Sequence, residues 1–309
     1  MHTGLSFWIG FNAVVLVLLA LDLFVIRGKE QTVSMKGAAI WSVGGILMSL
    51  AFGAWIYISQ GHGKALEFIT GYVIEYSLSM DNLFVFIMIF AYFKVAPKHQ
   101  HRVLAWGIIG ALVMRGVVIC LGVELVQRFG WILYGFGAFL LITGLRMFFK
   151  KPETEATESF ACRVCRKIPR VTPDFHGASM IVRTAAGWML TPLALAVVVV
   201  DVMDLIFAVD SIPATFAVTR DPFIVYTSNI CAILGLRSLY FVLAGMADRF
   251  EKLHYGLAAV LGFIGLKMLL ANVLHIGNGA ALLVVAAILA ASIIWSLAGK
   301  RLPAGEKVM

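Results

Sequence analysis

The chain has 309 residues, 61% of them hydrophobic and only 14% charged, with a mean hydropathy of +0.92. That composition excludes an ordinary soluble domain, whose core cannot use so much apolar surface, and points to a bilayer. The formal net charge of +8 would suit nucleic acid, but its distribution along the chain argues against that partner.

In chain order, apolar segments predict helices over 4–26, 37–58, 66–93, 103–126, 130–149, 187–218, 223–245, 253–272 and 278–299. A membrane span needs about 20 mostly apolar residues, so the expected class is an all-α polytopic membrane protein with about nine transmembrane helices. The chain forms a single membrane domain over 1–309, and 150–186 is the one long polar connection. The first segment is not read as a cleaved signal, because Arg27 and Lys29 follow it rather than precede it.

With nine spans, the loops around 27–36, 94–102, 150–186 and 246–252 and the C-terminal tail share one side. They hold three, three, seven, two and three Lys or Arg, eighteen together, against Lys64, Arg128 and Arg220 on the other side. Such a split follows the positive-inside rule. It predicts an external N-terminus, a cytoplasmic C-terminus and a cytoplasmic 150–186 loop.

Asp22 lies late in the first segment, near Arg27, where a functional and an interfacial role are equally open. The third segment contains "EYSLSMDN", with Glu75 and Asp81 six residues apart, and the sixth contains "DLIFAVDS", with Asp204 and Asp210 at the same separation. The helix after each acidic pair carries an arginine, Arg115 in "GALVMRGVV" and Arg237 in "AILGLRSLY". Next, 129–149 aligns without a gap on 250–270, matching Tyr134 with Tyr255, Gly144 with Gly265 and Arg146 with Lys267. Three pairings in one order describe a 3+3 repeat, 66–149 and 187–272, flanked by two peripheral helices within 1–60 and a last helix at 278–299. Because three is odd, the copies enter the membrane from opposite faces, the plan of many secondary transporters.

Six carboxylates fall within spans: Asp22, Glu75, Asp81, Asp201, Asp204 and Asp210. A charged group at a helix centre costs about 2.5–3.5 kcal/mol, so facing lipid the six would cost on the order of 15 kcal/mol together. They are expected to point inward, paired, protonated, hydrated or bound to a cation. Asp201 and Asp204 share a helix face, as do Glu75 with Asn82 and Asp204 with Ser211. Pro213 predicts a kinked or discontinuous sixth helix with freed carbonyls near Val209 and Asp210. These donors are all oxygens, which suits Mn²⁺, Mg²⁺ or Ca²⁺ rather than copper or zinc. The rival reading is structural, with Arg115 and Arg237 as counter-charges that rigidify the bundle.

The stretches "GYVIEYSLSMDNLFVF", "FAYFKVAPKHQHRVLAWGIIGALVMR", "DLIFAVDSIPATFAVTRDPFIVYTSNICAILGLRSLYF" and "YGLAAVLGFIGLKMLL" closely resemble the TerC family of bacterial integral membrane proteins, in its Alx-like branch. The resemblance runs from about residue 20 to 272. It implies an inner-membrane protein near the lysine-exporter superfamily, linked to tellurium resistance, manganese export and, in older descriptions, redox modulation. The family's intramembrane acids carry over onto Asp22, Glu75, Asp81, Asp201, Asp204 and Asp210. Two positions depart from the pattern: Asp201 stands where glutamate is usual, and Tyr76 where a lysine is common.

Other signals are weaker. "CRVC" places Cys162 and Cys165 in the 150–186 loop, where His176 alone cannot complete a zinc site. His99 and His101 are expected in a solvated turn, Glu124 at a solvated helix end, and Asp221 with Pro222 as the start of the seventh helix. Asn229, one to two turns into that helix, is a further candidate ligand. There is no GxxxxGK[ST] for ATP and no nucleophile–base pair for an enzyme. The sequence therefore predicts a secondary transporter that exports a divalent cation, Mn²⁺ foremost, with possible proton coupling and no permanently bound cofactor. Its alternative is a membrane redox or stress-signalling protein acting through Cys162 and Cys165.

Overall fold

The structure, a computed structural model, describes residues 5–27, 35–149, 170–184, 187–245, 253–273 and 276–298. Among these are nine helices: α1 (Leu5–Arg27), α2 (Met35–Gln60), α3 (His62–Tyr92), α4 (Pro97–Arg128), α5 (Ile132–Phe149), α6 (Pro192–Phe216), α7 (Pro222–Ala244), α8 (Leu253–Leu269) and α9 (Asn278–Ala298). Seven of them, α2 to α7 and α9, are long and apolar enough to cross a bilayer, while α1 and α8 offer shorter apolar runs, Leu5–Leu21 and Tyr255–Leu269. Between α5 and α6 lies an antiparallel hairpin of β1 (Ile181–Thr184) and β2 (Gly187–Leu190).

That hairpin corrects one expected boundary. The apolar run was read as helix from residue 187, but Gly187–Leu190 pairs with Ile181–Thr184, and the helix starts only at Pro192. Thr191 caps it by accepting from the Ala194 amide at 3.4 Å, and its own hydroxyl donates to the Ser179 carbonyl at 2.8 Å. The start of α7 is as expected, with the Asp221 carboxylate accepting from the Phe223 and Ile224 amides at 3.0 and 3.4 Å.

Two further expectations change. The solvated turn anticipated around residues 94–102 is short, since α3 ends at Tyr92 and α4 begins at Pro97. His99 is therefore a buried residue of α4, and the His101 ring meets Phe241 edge-on with centroids 5.3 Å apart. The expected discontinuity at Pro213 is not seen: α6 runs as one helix from Pro192 to Phe216 with Pro213 inside it. Pro213 has no N–H to give the Val209 carbonyl, so α6 carries that one missing backbone bond within a continuous helix. Glu124 is exposed, as expected.

Packing follows from apolar faces that differ in width. α3, α6 and α7 are the most enclosed helices, whereas α2, α5 and α9 present apolar residues such as Ile40, Ile142 and Leu283 outward. α3 packs mainly on α7, α4 on α6, and α5 on α8. The α5–α8 crossing is the most extensive contact between helices among the described residues. An added Cβ at Gly144 would lie 2.7 Å from the Ala258 carbonyl oxygen and the Gly262 amide; one at Gly265 would lie 2.7 Å from the Gly137 carbonyl oxygen and 2.6 Å from the Leu141 amide. Under the ungapped alignment of 129–149 on 250–270, Gly144 matches Gly265, Gly137 matches Ala258 and Leu141 matches Gly262. The contact is thus reciprocal under exchange of the two segments. Small residues let membrane helices approach this closely.

Candidate ion site within the membrane

Glu75 on α3, Arg115 on α4, Asp204 on α6 and Asn229 on α7 meet in the middle of the bundle. Each is buried, with exposures of 0%, 0%, 3% and 0%. Burial is affordable only because their polar atoms satisfy one another. Arg115 Nε and Nη2 donate to the two Asp204 oxygens at 3.0 and 2.9 Å, a bidentate fork. Arg115 Nη1 donates to Glu75 Oε1 and, at 2.8 Å, to Asn229 Oδ1. Asn229 Nδ2 then donates to Glu75 Oε2 at 3.0 Å, which joins all four side chains in one ring of polar contacts, closed through Arg115, Glu75 and Asn229 and with Asp204 on the Arg115 fork. The Ser79 hydroxyl, one turn along α3, donates to Glu75 Oε1 at 3.2 Å.

Helical geometry explains why these residues converge. Arg115 sits midway along α4, which packs on α6 and α7, and its long side chain reaches Glu75 on α3. Glu75 and Asp204 occupy matching positions in the two acidic segments, and α3 and α6 each bring one carboxylate to the cluster. The cluster holds two carboxylates and one guanidinium, so when both acids are ionised it carries one net negative charge.

Asp201 lies one turn before Asp204 and outside this ring. Its carboxylate rests on Gly107 and Gly110 of α4, where an added Cβ at Gly110 would overlap it. Its Oδ1 is buried and has no hydrogen-bond partner among the described residues. Asp210 is half-buried further along α6. Asn82 is buried on α3 and Ser211 on α6, and neither bonds to the ring. Arg237 lines a small void together with Asp204, Gly107 and Val200. Among the described residues, no three His, Cys, Asp or Glu are grouped to hold a metal ion. The side chains of Asp22 and Asp81, and all of Cys162 and Cys165, lie outside the described residues.

Sequence reasoning named every member of the ring but missed its supports. Ser79 was detectable from its spacing of four from Glu75, which puts both on one helical face. Gly107 and Gly110, three apart, formed a readable small-residue face. A second polar group was also missed: Lys64 at the start of α3 bridges Glu67 at 3.0 Å and Asp221 at 2.9 Å, and the Thr219 hydroxyl donates to Glu67 at 2.5 Å. The spacing of three between Lys64 and Glu67 was a signal for this pair.

Comparison with known proteins agrees with a membrane protein. The family described as "Integral membrane protein TerC family" matches residues 60–303. The chain is 45% identical over 295 residues to an uncharacterized membrane protein of Myxococcus xanthus, covering 95% of this chain and 92% of that one. It is 46% identical over 298 residues to an Escherichia coli protein named "Putative membrane-bound redox modulator Alx", covering 93% and 92%. A Rickettsia bellii membrane protein is 41% identical over 262 residues, covering 84% and 87%. No solved structure matches the chain.

Proposed function

The chain belongs to the TerC family of integral membrane proteins, and on that premise we propose that it is a secondary transporter exporting a divalent cation, Mn²⁺ foremost, from the cytoplasm across the inner membrane. The N-terminus is outside and the C-terminus cytoplasmic in this reading. The observation that carries it is the buried ring itself: acids from two matching segments, held at mid-bundle by one guanidinium that neutralises only one of them. Intramembrane ionisable groups mark ion pathways more often than scaffolding, because their burial costs stability that structure alone does not require.

Arg115 acts as a tethered cation. It holds Glu75 and Asp204 when no ion is present, and a divalent ion, with twice its charge, competes for the same oxygens. Asn229, which already bonds to Glu75, and Asp201, one turn from Asp204, supply further oxygens at this level. Asp210 and Ser211 on α6 and Asn82 on α3, about 9–10 Å further along their helices, together with Asp81 and Asp22, are proposed as oxygens that the ion meets elsewhere on its path. Hard divalent cations favour such all-oxygen sets. Carboxylates vacated by the metal can take protons, which gives a route to proton coupling.

The name borne by the Alx relatives favours a second reading, redox modulation, in which Cys162 and Cys165 would matter and the acids would only hold the bundle together. Manganese sensitivity of cells separates the two. Asp81→Asn and Asp210→Asn are expected to lose protection against added Mn²⁺, whereas Cys162→Ser keeps it. Sensitivity that follows only the cysteine substitution would overturn the transporter reading.

A further inference from the structure

The ring is asymmetric in a molecule where four of the six intramembrane acids and both mid-helix arginines come in matched pairs. Glu75 matches Asp204, and Arg115 matches Arg237. Exchange of the two halves therefore returns the same two acids but swaps the arginines. In this structure the ion pairs of Glu75 and Asp204 are both made with Arg115, while Arg237 stands at the void beside Asp204. The reciprocal contact of α5 with α8 shows that the pairing is spatial as well as sequential, since Gly144 and Gly265 make the same backbone approach to each other's segment.

A second asymmetry lies at the bundle end that carries the α2–α3 and α6–α7 turns. Lys267 of α8 donates to the Ala217 carbonyl and to Asn278 Oδ1, each at 3.4 Å, and Asn278 Nδ2 donates to the Val218 carbonyl at 3.2 Å. Lys64, Glu67 and Thr219 tie the same turn to the start of α3. The match of Lys267 in the first half is Arg146, which is exposed at the end of α5. So one end is latched through its basic residue, and the corresponding residue of the other half is turned outward.

We propose that the transporter has two mirror-related states, exchanged when Arg237 replaces Arg115 on the Glu75–Asp204 pair, and that the structure is the Arg115 state with the Lys64–Asp221 end latched. The inference rests on the transporter reading only for its purpose; the exchange itself requires no particular cargo. Arg115 and the latch act on the same seam. Arg115 joins α3 to α6 and α7 at mid-height, and Lys64 with Glu67 joins α3 to the α6–α7 turn at the end. When the guanidinium leaves Glu75 and Asp204, their charges lack a partner until a second cation arrives. Either the exported ion or Arg237 meets that requirement. The ion thereby enters as the intermediate of an arginine exchange, and a two-state element biased by differential binding results.

The test is a distance measurement across the seam. Spin labels at Gly63→Cys and Arg220→Cys, in a background without the native cysteines, are read by double electron–electron resonance in nanodiscs without added metal. The parent protein and Arg237→Gln are expected to show the short, latched distance. Arg115→Gln is expected to shift the population toward a longer distance by about tenfold or more, the scale of ordinary coupling between sites. Arg115→Lys, which keeps the charge but loses the fork, shifts it in the same direction and decides the matter if Arg115→Gln does not fold. Arg115 and Arg237 variants giving the same distances would overturn the exchange. Distances that move as stated in a protein that fails to carry Mn²⁺ would support the exchange and count only against the cargo.

Discussion

Arg115→Met is expected to destabilise the folded protein by about 3–5 kcal/mol, the cost of stranding buried charges when one partner is removed. The methionine fills similar volume, so the loss is electrostatic rather than a cavity. Two carboxylates would remain at exposures of 0% and 3%; Glu75 would keep Asn229 and Ser79 as donors, and Asp204 would lose both bonds that the cluster gives it. Thermal unfolding in detergent checks this. The triple variant Glu75→Gln, Arg115→Met, Asp204→Asn should regain much of the loss, because it removes the stranded charges together. If Arg115→Met alone is as stable as the parent, the ring is not a coupled unit and its described geometry has no energetic weight.

Gly144→Ala and Gly265→Ala are expected to be comparably and strongly destabilising. At both positions the added Cβ would meet backbone atoms at 2.6–2.7 Å, and backbone cannot rotate aside as a side chain can. Overpacking typically costs about 1–3 kcal/mol when side chains can adjust; here the helices must separate. Gly135, on the same helix as Gly144 but with nothing within 4 Å of its Cβ position, is the control. Its alanine variant should be neutral or stabilising by up to about 1 kcal/mol through helix propensity. Unequal effects at Gly144 and Gly265 in the same unfolding measurement would argue against the reciprocity of the crossing.

The order and number of helices were legible in the sequence because twenty-residue apolar runs admit few alternatives in a bilayer. Boundaries were less so. Trp188, Met189 and Leu190 extended the apolar run of α6 and hid the Thr191–Pro192 start, a cap signal that outweighs hydropathy when both are read together. The short α3–α4 turn was missed because "PKHQHR" is polar yet helical, its Pro97 serving as a first-turn residue.

Within the site, the inward acids and Arg115 followed from the cost of placing charge in lipid. Their partnership did not, since it depends on how four helices cross, and helical spacing speaks only for residues on one helix. Asp201 illustrates the limit. Its shared face with Asp204 was readable, but its seat on Gly107 and Gly110 belongs to another helix. The expected discontinuity at Pro213 did not appear, since α6 runs on to Phe216 despite the one backbone bond that the proline cannot make.

The central claim is that these buried acids carry a divalent ion across the membrane. Purified protein in vesicles containing a Mn²⁺-quenched dye tests it most directly, with the ion supplied outside. The parent is expected to carry Mn²⁺ well above protein-free vesicles, and the triple variant Glu75→Gln, Arg115→Met, Asp204→Asn, which strands no buried charge, is expected to fall to their level. Equal quenching by parent and triple variant, or none above the protein-free vesicles, would contradict it.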